Sequence, residues 1–269
     1  MNIKTIMSRK SVRSYDGKGI TEKELDELSS FAESMVSPFG IDAEFRFLDA
    51  QEHGLTSPVL TGVNTYVAGK TVIQPYADVS FGYTFEKLLL HAVEMGLGTV
   101  WIAGTMNRDA FEKAMELKDG EYMPAMSPLG HPAAKRSMRE SLMRKGVKAD
   151  SRIDANKLFF GPDFKTPFSG SLSDEMKECL ETVRWAPSAV NKQPWRLVID
   201  GENIHFYEHH DKGYVQANGM DLQKVDIGIA MCHLDLALED KEIPHDIIVE
   251  DPGIEAPADT EYVATIRRI

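Results

Sequence analysis

Apolar residues recur at helical spacing in several segments of the chain. In Thr21–Met35, the apolar stripe follows Thr21 and Glu24, which occupy the positions of a capping box. Ser80–Met95 and Asp221–Leu238 are more uniformly apolar, which is typical of buried helices. Further helical patterns cover Arg108–Met115 and Ser171–Ala186, the second of which is capped by Ser171 or Ser173.

Short runs rich in β-branched and aromatic residues lie between these helices and predict strands. They cover Glu44–Leu48, Thr99–Ala103, Trp195–Ile199, Ile204–Tyr207 and Tyr262–Ile266. Asp200-Gly201 predicts a hairpin turn between two of the strands. Met126–Pro132 predicts a strand end followed by a turn. The mixed order of helices and strands predicts an α+β fold.

The order of helix, strand and glycine-containing helix occurs twice along the chain. The segment Gly19-Ile20-Thr21 before the first helix has a counterpart in Gly170-Ser171-Leu172. Ser80-Phe81-Gly82 has a counterpart in Asp226-Ile227-Gly228. We therefore expect an internal duplication, with residues 1–158 as the first half and residues 159–269 as the second. Two such halves are expected to pack as a pseudo-two-fold dimer within one chain.

The composition restricts the classes of partner. The 269 residues have a net charge of −12, which argues against nucleic-acid binding and against docking on an anionic membrane. Cys179 and Cys232 are far apart in apolar helical patterns, so we expect core residues rather than a disulfide or a zinc site. Since no apolar run is long enough for a signal peptide or a membrane span, a cytoplasmic protein is expected.

Arg9-Lys10-Ser11-Val12-Arg13 is the first segment with candidate binding chemistry. It places three cations and a hydroxyl within five residues. Guanidinium groups form charge-assisted hydrogen bonds to phosphate oxygens, so this segment suits a phosphate group. The alternative is a basic N-terminal helix that is simply solvated.

The second candidate is the run Ala186–Trp195, which contains two prolines and several polar side chains. Pro187 and Pro194 restrict its backbone. Ser188, Asn191 and Gln193 then offer donors and acceptors in fixed positions, as recognition of a planar heterocycle or a sugar chain requires. The alternative is a rigid connector between a helix and a strand.

The third candidate is Gly96-Leu97-Gly98-Thr99, between a helix and a strand. Its glycines would let the backbone approach a ligand closely. The motif is weak alone, and it is not a dinucleotide fingerprint because it follows a helix rather than beginning one. Separately, Lys135–Arg152 is a basic segment in this acidic chain and is interpreted as the connection between the halves.

Taken together, these segments resemble motifs of the nitroreductase family over nearly the whole chain. The Arg-x-Ser-x-Arg motif matches Arg9, Ser11 and Arg13. The most specific motif, Pro-Ser-x-x-Asn-x-Gln-Pro-Trp, matches the run Pro187–Trp195. Further matches are Gly96 to Thr99 with Trp101, Gly130 with Pro132, and Arg152 as a later phosphate-binding arginine. The resemblance implies a three-layer α/β/α fold of the nitroreductase type.

The motifs are divided between the two halves, unlike in an ordinary member of the family. The first half has Ser37-Pro38-Phe39-Gly40 at the place of the Asn-Gln-Pro-Trp loop, and the second half has Glu242-Ile243-Pro244 at the place of Gly-Leu-Gly. The resemblance therefore implies one FMN per chain, held between the halves. The implied cofactor-binding residues are Arg9, Lys10, Ser11, Arg13, Gly96, Leu97, Gly98, Thr99, Arg152, Pro187, Ser188, Ala189, Asn191 and Gln193.

The resemblance also implies a reaction. FMN would accept electrons from NADH or NADPH and pass them to a small planar acceptor, such as a nitroaromatic or a quinone. Backbone amides near Gly98-Thr99 would stabilise the reduced flavin, and neither a catalytic side chain nor a metal is implied. His91 and His233 are expected to be satisfied core or interface residues. The alternative function is a flavin carrier, sensor or regulatory protein without turnover. As a pseudo-dimer, the chain would need no partner chain to complete its site.

Overall fold

The computed structural model describes residues 1–134, Gly146 and residues 151–269. Most of the predicted basic connection between Lys135 and Arg152 therefore lies outside the described residues. Two sheets and a set of helices confirm the predicted α+β fold.

The helices agree closely with the apolar periodicity. The capping box is confirmed, because the Thr21 amide donates to Glu24 Oε2 at 2.7 Å and the Glu24 amide donates to Thr21 Oγ1 at 3.2 Å. Ser173, one of the two expected caps, accepts from the Met176 amide at 3.1 Å. The α-helices whose bounds the structure describes are α1 (Ile3–Ser8), α2 (Glu22–Ser34), α3 (Ala77–Glu94), α4 (Arg108–Ala114), α5 (Asp174–Trp185) and α6 (Leu222–Asp240).

The two sheets come from different parts of the chain. The first contains β1 (Glu44–Asp49), β2 (Thr65–Val72), β3 (Glu121–Tyr122) and β4 (Met126–Leu129). In it, β2 pairs antiparallel with each of the other strands. The second sheet has the order β5-β6-β7-β9-β8, with β5 and β6 parallel and the other pairs antiparallel. Its strands are β5 (Phe159–Phe160), β6 (Trp195–Asp200), β7 (Asn203–His209), β8 (His245–Ile248) and β9 (Thr260–Arg268).

The prediction of a strand at Thr99–Ala103 was wrong in one respect, since this segment forms isolated bridges rather than a regular strand. Ile102 exchanges backbone hydrogen bonds with Met126 at 2.9 Å. The Val100 amide instead donates to the hydroxyl of Ser127 at 3.1 Å. Because a side chain takes the place of a ladder partner, the segment is extended but lies outside the strands of the sheet.

The centre of the molecule is the crossing of α3 and α6, which are buried over most of their length. A Cβ atom at Gly82 would lie 2.0 Å from the carbonyl oxygen of Val225, and one at Gly228 would lie 2.0 Å from that of Val79. The two helices therefore touch through their backbones, which only glycine permits. α3 also contacts β2, and α6 contacts β6, β7 and β9, so this helix pair connects the two sheets.

The cysteines and the apolar helices complete this core. Cys179 and Cys232 are both buried and free, which confirms the expectation of core residues. Burial raises the pKa of the Cys179 thiol to about 11. No helix in the described part of the chain is both long and apolar enough to cross a membrane.

Candidate functional site

A cavity of about 400 Å³ lies between segments that are distant along the chain. The N-terminal segment and residues 100–105 form one part of its wall. Residues 187–191 and the first turns of α6 form another part. Eight of the predicted cofactor-binding residues line it: Arg9, Ser11, Arg13, Arg152, Pro187, Ser188, Ala189 and Asn191.

The other predicted residues lie elsewhere. Lys10, Gly96, Leu97 and Gly98 border a neighbouring cavity that shares Ser11 with the first. Thr99 and Gln193 are buried and do not line the first cavity. The basic N-terminal segment and the Pro-Ser-x-x-Asn loop therefore line the same cavity, whereas the Gly-Leu-Gly segment contacts the N-terminal segment without lining that cavity.

Gly98 and Thr99 instead hold the N-terminal segment in position. The Val12 amide donates to the carbonyl oxygen of Thr99 at 2.9 Å, and Ser11 pairs with Thr99 in a parallel bridge. A Cβ atom at Gly98 would lie 2.9 Å from Val12 Cγ1, so the side chain of Val12 occupies the space that glycine leaves. This contact fixes the backbone between Ser11 and Arg13, both of which line the cavity.

The loop after α5 has an unusual backbone. Val190, Asn191 and Gln193 have φ angles of 44°, 59° and 53°, in the left-handed region that residues other than glycine rarely adopt. The Ser188 hydroxyl accepts from the Gln193 amide at 2.9 Å and closes the loop on itself. Strained conformations of this kind cluster at binding sites, where the surrounding structure holds them in place.

Two polar side chains of this loop hold the backbone on both sides of Arg152. Asn191 Nδ2 donates to the carbonyl oxygen of Ser151 at 3.1 Å. On the other side, the Ile153 amide donates to Gln193 Oε1 at 3.0 Å. The Arg152 guanidinium lies over the Trp185 ring, 4.4 Å from its centroid. The loop thus positions an arginine of the cavity, a role for Gln193 that the sequence did not indicate.

A buried polar group lies behind Arg9. Glu86 is fully buried on α3, and its Oε2 accepts from the Trp101 indole N–H at 2.6 Å. Its Oε1 lies 3.6 Å from Arg9 Nε and 2.9 Å from His233 Nε2. Because Arg9 and Trp101 both line the cavity, this carboxyl group connects the cavity wall with the central helix pair.

The hydrogen bonds of His233 determine where its protons lie. Nδ1 is 2.9 Å from the carbonyl oxygen of Thr182, which can only accept, so Nδ1 carries a proton. A second proton must lie between Nε2 and Glu86 Oε1, because two lone pairs at this distance would repel each other. His233 is therefore a satisfied core histidine, as expected. His91 packs against Phe31 with ring centroids 4.1 Å apart, and burial lowers its pKa.

Asp226 is a cavity residue that the sequence analysis did not select for binding. Its side chain lies in the first turns of α6, and the residue is only 4% exposed. The Ala189 amide lies 3.1 Å from each carboxyl oxygen. Burial raises the pKa of this carboxyl well above its ordinary value. The signal in the sequence was an acid directly before the apolar stretch Ile227–Cys232.

Glu208, His210 and Glu261 are the described residues whose arrangement could hold a metal ion, with ligand atoms within 4.8 Å of one another. Charged neighbours already surround them. His210 Nδ1 lies 2.9 Å from Glu208 Oε1, and Lys224 Nζ lies 2.6 Å from Glu261 Oε1. Burial raises the pKa of Glu208 to about 9, so we interpret the group as a neutral Glu208 beside the ion pair of Lys224 and Glu261, and none of its members lines the cavity.

Comparisons with solved structures identify a similar fold. A protein of Thermotoga maritima described as a putative nitroreductase is 19% identical, with a TM-score of 0.63 over 99% of this chain and 94% of its own. A nitroreductase family protein of Clostridium novyi, 19% identical, covers 50% of this chain and 88% of its own at a TM-score of 0.42. An FMN-dependent nitroreductase of Clostridium difficile, 15% identical, covers 49% of this chain and 88% of its own at a TM-score of 0.42.

Sequence comparison gives the family. No curated protein matches the chain significantly. A family model described as "Putative TM nitroreductase" matches residues 2–238. Since this match extends over most of the chain, the protein belongs to that family of nitroreductases and is an oxidoreductase.

Proposed function

We propose that the cavity between the halves binds one FMN and that the chain transfers electrons from NADH or NADPH to a small planar acceptor, such as a nitroaromatic or a quinone. This proposal rests on one observation: two segments that are distant in sequence line the same cavity. Arg9, Ser11 and Arg13 line it from the N-terminal side, and Arg152 lines it together with the loop after α5.

The donor set suits FMN. Arginine guanidinium groups and serine hydroxyls both donate hydrogen bonds to anionic phosphate oxygens, and the arginines add a positive charge. Val100, Ile102, Val225 and Ile229 provide apolar walls of the kind that a planar ring system requires. The volume of about 400 Å³ falls within the range of cofactor sites, roughly 300–1,000 Å³. When bound, the flavin would supply the redox chemistry.

The side chains of the chain would then bind and orient. Arg9, Arg13 and Arg152 would hold the anionic end of the cofactor. Asn191 and Gln193 would keep Arg152 in place through the backbone on either side of it. Ser188 keeps the loop closed by accepting from the Gln193 amide. The rigid loop would thereby provide a preorganised site, which lowers the entropic cost of binding.

The proposal includes an internal duplication with halves at residues 1–158 and 159–269. The reciprocal contacts of the central helices support it. Gly82 contacts Val225, and Gly228 contacts Val79. The two glycines are 146 residues apart in sequence, and so are the two valines. A pseudo-two-fold axis through the crossing would give this reciprocity. A single chain would then suffice to form the site as a monomer.

The test of cofactor binding is the visible absorption spectrum of the purified protein, with the ratio of flavin to chain. We expect a flavin spectrum and a ratio of one FMN per chain. A colourless protein that stays free of flavin after incubation with FMN would contradict the proposal. A ratio of two would contradict the single site.

Steady-state oxidation of NADH and NADPH tests the reaction. We expect turnover with at least one member of a panel of nitroaromatic and quinone acceptors. Tight FMN binding without turnover on any acceptor would instead favour the alternative of a flavin carrier, sensor or regulatory protein.

A further inference from the structure

Asp226 is the acidic side chain of the cavity wall. It is almost wholly buried, and both of its oxygens share one hydrogen-bond donor, the Ala189 amide. No cation of the described residues lies within ion-pair distance of it. An ionised carboxylate in this position would therefore be poorly compensated for its loss of hydration.

The surroundings of Asp226 favour its neutral form. Burial raises the pKa of the carboxyl, the Ala189 amide lowers it, and the charge of Asp221 at the start of α6 raises it further. Tyr214, from the loop before α6, also lines the cavity and carries no charge at neutral pH. The cations of the cavity wall are Arg9, Arg13 and Arg152, and none of them forms an ion pair with Asp226 among the described contacts.

A neutral carboxyl group has one O–H donor in addition to its acceptor capacity. One oxygen of Asp226 can accept from the Ala189 amide, which leaves the O–H of the other able to donate to a molecule in the cavity that the residue lines. We propose that Asp226 is a ligand-binding residue that donates a hydrogen bond from a neutral carboxyl group to the molecule in this cavity. The ligand class is a planar ring with a carbonyl oxygen or an unprotonated ring nitrogen, as in a flavin.

This inference rests on the proposed function and makes it more specific. The arginines would bind the anionic part of the ligand, and Asp226 would recognise an acceptor atom on its ring. Ionisation of Asp226 would remove the donor and add a negative charge. The bound ligand therefore stabilises the protonated carboxyl, and proton release weakens ligand binding.

The first experiment measures FMN affinity of the apo-protein at pH 7 by the quenching of flavin fluorescence. Asp226→Asn keeps an oxygen for the Ala189 amide and adds N–H donors, so we expect an affinity within threefold of wild type. Asp226→Leu lacks the donor, and we expect roughly tenfold weaker binding, the effect of one lost hydrogen bond. Glu208→Gln is the control, because it removes a buried acid that does not line the cavity. Equal affinity of all four proteins would overturn the inference.

The second experiment is an infrared difference spectrum between wild type and Asp226→Asn, recorded with and without FMN. We expect the band of a protonated carboxyl group at pH 7 and a shift of that band on FMN binding. An ionised carboxylate in the apo-protein, or a band that FMN leaves unmoved, would overturn the inference. A protonated band in a protein that binds no FMN would instead contradict the proposed function alone, so the two failures are distinguishable.

Discussion

Two loops, one after α2 and one after α5, meet the central helix pair in different ways. Residues 36–42 follow α2 and lie against the start of α3. There the Ser37 and Ser80 hydroxyls are 2.5 Å apart, and Ser80 Oγ donates to the carbonyl oxygen of Ile41 at 2.6 Å. Residues 186–194 follow α5 and lie against the start of α6. That loop is held to α6 by the Asp226 carboxyl and borders the cavity.

Gly82 and Gly228 of the helix crossing are 146 residues apart in sequence. The same spacing relates Ser80 to Asp226 and Tyr83 to Ile229. On the side of α3, Tyr83 is buried and its hydroxyl donates to Asp235 Oδ2 at 2.6 Å. On the side of α6, Ile229 lines the cavity. These positions thus carry side chains in different environments. We name residues 36–42 with the start of α3 the closed side, and residues 186–194 with the start of α6 the open side.

The largest expected effect is a loss of stability from substitutions at the crossing of α3 and α6, which both regions contact. Gly228→Ala should destabilise the protein by about 3 kcal/mol or more, or prevent folding, because the new Cβ would overlap the carbonyl oxygen of Val79. Gly82→Ala should have a similar effect for the reciprocal reason. Chemical denaturation measures both, with Gly161→Ala as the control, where a Cβ would lie 3.6 Å from Thr166 Oγ1. If one central glycine tolerates alanine, the two sides of the crossing are not equivalent.

On the open side, variants in two distant segments of the chain should weaken binding of the same ligand. Arg13→Ala removes a cation of the cavity, and Asn191→Ala releases the backbone beside Arg152. We expect each to weaken FMN binding about 10- to 100-fold, the effect of one charge-assisted hydrogen bond. Isothermal titration of the apo-protein measures the affinity. The matched control is Arg267→Ala, because Arg267 is an exposed arginine that forms an ion pair with Glu250. Wild-type FMN affinity in both cavity variants would rule out the shared site.

On the closed side, Ser80→Ala should affect stability but not binding. The change removes the contact with Ser37 and the hydrogen bond to Ile41, so we expect a loss of about 1–2 kcal/mol in the free energy of unfolding. FMN affinity should stay within twofold of wild type. Ser30→Ala, on the exposed face of α2, should change neither quantity. A large loss of FMN affinity in Ser80→Ala would mean that the closed region contributes to the site.

The smallest expected effect is a pH-dependent change in stability at His245. This histidine lies next to Asp235, the carboxylate that also accepts from Tyr83. The hydrogen bond to Asp235 raises the pKa of His245. Its stabilising contribution is therefore complete below the pKa of an unfolded histidine, about 6.5, and is lost as pH rises through the folded value. Wild type should exceed His245→Asn in stability by about 1 kcal/mol at pH 6 and by less at pH 9. Thermal unfolding at both pH values checks this, and a difference that is independent of pH would contradict it.

Local patterns predicted most of the helices and strands because the periodicity of apolar residues reports which face is buried. They missed β2, where alternation is interrupted by Gly69 and Lys70. Gly69 leaves space for the ring of Phe45, since a Cβ there would lie 2.6 Å from that ring. Lys70 is buried because Glu121 and Glu44 pair with it at 2.9 and 3.2 Å. Both reasons are tertiary contacts that no sequence window contains.

The candidate site was predictable to a similar extent. The motif residues lie in two of the segments that line the cavity, Arg9–Arg13 and Pro187–Asn191. Their individual contacts were not predictable, because the packing of Gly98 against Val12 depends on chain segments that are distant in sequence. The same limit applies to Asp226, whose environment is formed by the loop around Ala189.

The crossing of α3 and α6 also has a consequence for biosynthesis. Its contacts join residues separated by more than half of the chain, so the closure of a long loop must precede them. During translation, α3 leaves the ribosome long before α6 exists to cover it. The apolar surface of the nascent first half is then exposed and open to aggregation or chaperone capture. Arrest of translation before residue 222 should therefore leave a chain that binds chaperones, and completion and release of the chain should end this binding.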